Sequence, residues 1–285
     1  MQIVMSGATG FIGTALLGTF IGKGWLVKSI DRQSFSMNDS EFLEKKIEGS
    51  DVVIHLAGAP ILHKWTDAYK EEIYQSRINT TKKIVTAIKN ANAKPGLFIS
   101  GSAIGIYNTT GTHTEGSNDF ADDFMAKVCK DWEYEALEAI AVTRVVIFRT
   151  GVVLGKNGGA LLMMQTPFKY GLGGKIGNGR QPFSWIALSD IVDAYIFAIE
   201  NSDLSGIVNA VSPYPVTNQY FTQTFAKVLN QPAFLSIPSF ALKMVYGEGA
   251  QALTTGQNVL PEKLLKTGFV FQYPTIEKAL MALYK

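Results

Sequence analysis

Apolar and polar positions follow two alternating rhythms through roughly the first two hundred residues. Short unbroken apolar runs at Ile3–Met5, Trp25–Ile30, Val52–Leu56, Leu97–Ser100 and Val145–Phe148 read as strands covered on both faces. Between them, apolar residues recur at helical spacing over Phe11–Gly22, Glu41–Ile47, Asp67–Asn92 and Phe124–Ala139. A further amphipathic helix over Asp190–Asn201 and a last strand over Ile207–Val211 complete the series. Strands that alternate with helices in this way predict an α/β fold, a doubly wound parallel sheet with helices on both faces. The rhythm changes at about Pro213, and from that residue onward fall six of the ten prolines. Helical patterns at Asn218–Leu229, Ser239–Gly247 and Thr275–Leu283 predict a small, mostly helical C-terminal lobe. The expected division is a main domain over residues 1–212 and a smaller substrate-side domain over 213–285.

The junction of the first strand and the first helix carries the strongest chemistry. Gly7, Gly10 and Gly13 stand in Gly-x-x-Gly-x-x-Gly spacing directly after an apolar run. A tight strand-to-helix turn needs residues without Cβ, and a pyrophosphate must come close to that backbone. The helix N-terminus then offers free N–H groups and the positive end of its dipole. The turn therefore predicts a Rossmann-like dinucleotide site, with Thr9, Phe11 and Ile12 completing it beside the glycines. Asp31-Arg32 ends the second apolar run. An acidic side chain there accepts from the adenosine ribose hydroxyls and favours NAD, whereas an arginine pairs with a 2′-phosphate and keeps NADP open. A solvated turn pair is the structural alternative.

Composition narrows the class. The chain has 285 residues, 47% hydrophobic and 18% charged, enough to bury a sizeable core. Lys and Arg are scattered along it and the formal net charge is +2, so neither nucleic acid nor an anionic membrane is expected as a partner. The longest apolar runs are too short to span a bilayer. One cysteine, Cys129, excludes an internal disulfide, and Met1 leads straight into the first strand, so a cytoplasmic location is expected. His55, His63 and His113 lie far apart without carboxylate or cysteine partners at ligand spacing, and no metal site is expected.

Several further residues are candidates. Leu56, Ala57 and Gly58 follow the third strand and are expected to line the cofactor where backbone passes close to it. His55, inside that strand, reads as a packed core histidine rather than a catalyst. Ser100 and Ser102 close the fourth strand, at the carboxyl edge where open α/β sheets bind ligands, and Tyr107 follows them; simple turn serines are the alternative. The Gly171–Arg180 stretch, with five glycines, Lys175 and Arg180, reads either as a loop closing on an anionic or sugar-bearing substrate or as a plain hairpin. Asp190 reads as a helix N-cap, and Cys129, on a stripe with Met125, Val128 and Trp132, as a buried inert thiol.

The glycine turn, Asp51–Gly58 and the serine strand end resemble the extended short-chain dehydrogenase/reductase superfamily, in its sugar-nucleotide epimerase and dehydratase branch. Ser76-Arg77, Cys129 through Trp132-Glu133, Arg149–Gly155, Gly158-Gly159, Gly171–Gly174, Gln181 with Ser184–Ile186, Asp190, Gly247-Glu248, Leu260-Pro261 and Gly268-Phe269 resemble one atypical subfamily, labelled "epimerase family", with a small C-terminal domain of undefined role. The resemblance implies an NAD(P) cofactor with a lean to NADP, a small-molecule substrate and a place for Arg149 near the nicotinamide; a homodimer stays open. Active members use Tyr-x-x-x-Lys on one helix, the lysine lowering the tyrosine pKa for proton exchange. None of the eleven tyrosines here has lysine four residues on. Registering Glu133 with the family's glutamate puts Cys129 at the lysine position and Met125 at the tyrosine position. Three readings follow: an enzyme with a relocated acid/base (Tyr107 or His55), a hydride-transferring enzyme with weak polarisation by Ser102, or a dinucleotide binder without turnover.

Overall fold

A computed structural model describes residues 1–36 and 40–285. Six parallel strands form the central sheet: β1 (Gln2–Ser6), β2 (Leu26–Ile30), β3 (Val52–His55), β4 (Leu97–Ala103), β5 (Arg144–Thr150) and β6 (Gly206–Ala210). Their spatial order is β2-β1-β3-β4-β5-β6. The chain therefore moves outward from β1 to β2 and then crosses to the other side of β1, which opens a crevice at the carboxyl ends of β1 and β3.

Alternation along the strands explains the two-sided cover. Ile3, Met5, Val52, Ile54, Leu97 and Ile99 point into one apolar cluster with Leu16 and Phe20 of helix α1 (Phe11–Gly22). Val4, Val53 and Phe98 point the other way, into a second cluster with Ile84 and Ile88 of α2 (Asp67–Asn90) and Ala136 of α3 (Phe124–Leu137). β2 departs from the expectation of full burial: it is the sheet edge, and Leu26 is 69% exposed.

A third cluster joins distant segments. Leu154, Leu161, Phe168 and Trp185 pack with Phe221, Phe225, Ile276 and Leu280. The stretch between β5 and β6 therefore shares its core with elements beyond residue 213. The Gly171–Arg180 stretch is partly strand, Gly174–Ile176 pairing with Leu235–Ile237. Asp190 sits inside α4 (Leu188–Glu200) and is not its cap. Its carboxylate instead accepts from the Gln272 and Tyr273 N–H groups, at 2.7 and 3.1 Å, tying the C-terminal segment to the sheet layer. Burial raises the Asp190 pKa. Among the described residues no helix is long and apolar enough to cross a membrane.

Candidate functional site

The glycine turn occupies the crevice mouth. Gly7 has φ +74°, a conformation side chains rarely adopt, and a Cβ there would stand 2.7 Å from the Leu56 carbonyl carbon. A Cβ on Gly13 would stand 2.1 Å from the Gly7 oxygen. The turn closes only around backbone. Helices α2 and α3 carry side-chain N-caps, Thr66 accepting from Tyr69 N–H and Asp123 from Ala126 N–H. α1 follows Gly10 with no side-chain cap, as α4 follows Ala187, and the glycine turn at the crevice mouth leaves its first amides open to something outside the helix. Thr9 and Gly10 are exposed at this mouth, with Phe11 and Ile12 half-buried.

Phe11 has a further role that its position in the turn did not signal. Cβ atoms on Gly155, Gly158 and Gly159 would stand 2.7, 2.4 and 2.8 Å from its ring. These glycines form a socket that seats the start of α1 against the Val152–Lys169 segment.

At the end of β2, Asp31 Oδ1 accepts from the Ser34 N–H at 2.8 Å and the Ser34 hydroxyl at 2.6 Å. The Ser34 hydrogen bonds hold its carboxyl below the usual aspartate range. Asp31 thus has a local capping role, while Arg32 beside it is exposed. Lys46 reaches the Ser29 carbonyl at 3.0 Å and lies near the same spot.

After β3, Leu56 and Ala57 are half-buried against the Gly7 turn and Gly58 is exposed. The smallness of Gly58 has an unexpected cause: a Cβ there would stand 2.9 Å from the Arg77 guanidinium carbon. Arg77 is buried, donates to the carbonyls of Ile73 (3.1 Å) and Ala59 (3.0 Å), and stacks over Trp132. Burial lowers its pKa. His55 is fully buried, Nδ1 lying 2.5 Å from Ser6 Oγ and Nε2 3.1 Å from Thr80 Oγ1. The Thr80 hydroxyl donates to the Ser76 carbonyl at 2.6 Å, so Nε2–H donates to Thr80 and Nδ1 accepts from Ser6. Burial, and secondarily Arg77, push its pKa down to about 3, so the ring is neutral.

The serine strand end leads into a buried polar network. Ser100 is fully buried with its hydroxyl on the Gly101 carbonyl. Ser102 donates to Glu133 Oε1 at 2.6 Å. Arg149 holds the same carboxylate through Nε–H (2.7 Å) and Nη2–H (2.6 Å), and donates from Nη1 to the Tyr107 hydroxyl at 2.8 Å. That hydroxyl lies 2.9 Å from Asn209 Oδ1 and 3.0 Å from the Thr114 carbonyl. Burial alone would depress the Arg149 pKa, but the Glu133 carboxylate overrides it and the net shift is upward. Burial raises the Tyr107 pKa, with Arg149 opposing. Cys129 is buried and its thiol is pushed up to about 12 by burial and then by Glu133. Ser102, Tyr107 and Arg149 thus converge on Glu133 and on one another. Glu133, which the sequence marks only through the family register, and Asn209, an ordinary polar residue in a strand that the sequence does not mark, organise this cluster.

Known proteins resemble this chain along nearly its whole length. The family model for the NAD dependent epimerase/dehydratase family covers residues 3–211, and one for a domain of unknown function (DUF1731) covers 237–283. The Arabidopsis thaliana protein "Epimerase family protein SDR39U1 homolog, chloroplastic" is 39% identical over 301 residues, spanning 99% of this chain and 86% of that one. Its name places that protein in the chloroplast, so a cytoplasmic location does not follow for this chain. Bacillus subtilis "Epimerase family protein YfhF" is 36% identical, spanning 99% of this chain and 98% of its own. The crystal structure of human SDR39U1, solved with NADPH, superposes with TM-score 0.92 at 32% identity, covering 100% of this chain and 99% of that one. The glycine turn, the strand order and these matches agree: the chain belongs to the NAD dependent epimerase/dehydratase family.

Proposed function

We propose that this chain binds NADP(H) at the Gly7–Gly13 turn and exchanges a hydride with a small molecule at the carboxyl edge of the sheet. The observation that carries the reading is the backbone cradle, where Gly7 and Gly13 admit no Cβ and α1 opens without a side-chain cap. The human relative solved with NADPH supports it. The nicotinamide, when bound, supplies or accepts the hydride. The first amides of α1 meet the pyrophosphate, and Leu56, Ala57 and Gly58 flank the cofactor. Arg32 and Lys46 receive a 2′-phosphate. NADP is favoured over NAD because Arg32 and Lys46 put two cations at the end of β2, and the human relative was solved with NADPH. Lys175 and Arg180 are the cations an anionic or sugar-bearing substrate would meet.

Proton exchange follows a different route from that of the family's tyrosine–lysine pair. In the register set by Glu133, Met125 and Cys129 hold those places, and a thiol pushed up to about 12 stays protonated. Ser102 and Tyr107 are engaged inside the Glu133–Arg149 network. Tyr107 therefore acts as a support for Arg149 rather than as an acid. The substrate is one whose hydride transfer draws its proton from water. A second reading, a dinucleotide sensor without turnover, is favoured by the same burial of Ser102 and Tyr107. Calorimetric titration with NAD, NADH, NADP and NADPH tests the proposal: tightest binding of an NADP form is expected, and failure of all four overturns it. Nicotinamide absorbance followed against a panel of carbonyl compounds and nucleotide sugars separates the enzyme from the sensor.

A further inference from the structure

Two segments of the chain, 151–189 and 204–247, hold six of its 26 Lys and Arg residues and none of its 24 Asp and Glu residues. The remaining 20 cations and 24 acids leave the rest of the chain at −4. Read linearly, the cations look scattered. In the fold, Leu235–Ile237 pairs with Gly174–Ile176, and Gly171 lies against Pro232, so the two acid-free segments meet on one side of the lobe. Lys169, Lys227 and Lys243 are exposed there. The nearby acids are engaged: Glu277 accepts from the Tyr220 hydroxyl, and Glu248 pairs with Lys70.

The same two segments leave large apolar side chains in water. Phe234 is 93% exposed, Tyr170 78%, Met244 76% and Phe240 67%. Helix Ser239–Tyr246 buries none of its residues. Apolar side chains this exposed, when they gather into a patch, mark an interaction site. A phenylalanine 93% exposed has almost nothing beside it, so it protrudes and forms no groove wall.

We propose that this face docks the protein on an anionic lipid bilayer, Phe234 and Phe240 entering the headgroup–acyl boundary while the lysines meet lipid phosphates and carboxylates. Cations beside protruding apolar side chains, with no acid among them, are what an interfacial lipid contact requires. A second copy of the chain fits poorly, because an isologous contact would set these lysines against their own copies. An acidic protein would supply the charge, but a protruding phenylalanine then needs a preformed pocket on the partner, whereas a bilayer yields around it. The proposal is independent of the cofactor reading.

Vesicle flotation tests it, with neutral phosphatidylcholine against phosphatidylcholine mixed with phosphatidylserine. Binding is expected to the mixed vesicles only, and to fall as salt shortens the Debye length from about 10 Å at 0.1 M to about 3 Å at 1 M. Lys169→Ala, Lys227→Ala and Lys243→Ala should each weaken it about fivefold. Phe234→Ser with Phe240→Ser should weaken it about tenfold or more, with unchanged melting temperature and NADPH binding. Equal binding to neutral vesicles, insensitivity to these substitutions, or no binding overturns the proposal. Binding to soluble polyglutamate without vesicle binding overturns it in favour of an acidic protein. Self-association that the phenylalanine substitutions abolish, without vesicle binding, overturns it in favour of a second copy.

Discussion

Replacing Glu133 by Gln asks how much of the site rests on one buried charge pair. The Arg149 and Glu133 side chains are only 5% and 7% exposed, so solvent screens little of their interaction. The carboxylate accepts three hydrogen bonds of 2.6–2.7 Å, two from Arg149 and one from Ser102. Gln keeps the shape but sets an NH2 group against a donor and leaves the guanidinium buried without a counter-charge. Removing one partner of a buried pair costs about 3–5 kcal/mol. At about 2–4 °C per kcal/mol for a chain of this size, the melting temperature should fall by about 6–20 °C. Glu133→Gln with Arg149→Gln leaves no unpaired charge and should recover part of that loss, giving a coupling of about 0.5–3 kcal/mol. Differential scanning calorimetry at neutral pH reads both variants. NADPH titration well below the melt should show affinity within about threefold of the parent, because the network is built on β4, β5, β6 and α3 and not against the glycine turn. A cost below about 1 kcal/mol for Glu133→Gln would refute the account of Glu133 as the centre of the network.

Three further outcomes follow from the geometry. Gly13→Ala places a Cβ 2.1 Å from the Gly7 oxygen and must open the turn, so NADPH affinity should fall about a hundredfold in a calorimetric titration. Arg32→Ala should weaken NADPH by about tenfold and leave NADH nearly unchanged, whereas Asp31→Ala should act first on the Arg32–Ser36 turn through the lost Ser34 contacts; equal losses for both dinucleotides in Arg32→Ala would remove the 2′-phosphate assignment. His55 has its pKa depressed from 6.5 to about 3, so the unfolded state binds the extra proton between those values. Its contribution is fully present above pH 6.5 and declines as pH falls toward 3, at about 1.4 kcal/mol per pH unit. His55→Gln should flatten the stability–pH curve by that slope between pH 4 and 6 in urea titrations.

What the sequence made legible was local. The strand–turn–helix at the N-terminus sits within about twenty consecutive residues, and its requirement for glycine is met by backbone it creates itself, Gly13 against Gly7. Most strands and helices of the central sheet were readable too, because two-sided burial imposes continuous apolar runs and helices impose their own spacing, whereas the exposed edge β2 breaks that rule and the helix Gly159–Lys169 was not anticipated. Asp190 shows the first limit. Its place near a helix start pointed to a cap, yet its partners are the N–H groups of Gln272 and Tyr273, which only tertiary folding brings there. Gly58 shows the second. The reason for a missing Cβ was sought in the cofactor, but the space is filled by Arg77, one helix away.

The candidate chemistry lies beyond both limits, since Ser102, Glu133, Arg149 and Asn209 come from three strands and a helix and have no common spacing. Their convergence separates two properties that usually travel together in this family. Holding a dinucleotide needs only backbone shape and the end of a helix dipole, both supplied by the first turn of the chain. Moving a proton needs a titrating group that water or substrate can reach. Here the hydroxyls at the expected places are buried and bonded to an ion pair, the nearby thiol is held protonated, and His55 is held neutral. Cofactor holding and proton transfer thus rest on separate parts of the fold, and the Glu133→Gln variant measures how firmly the buried network is fixed.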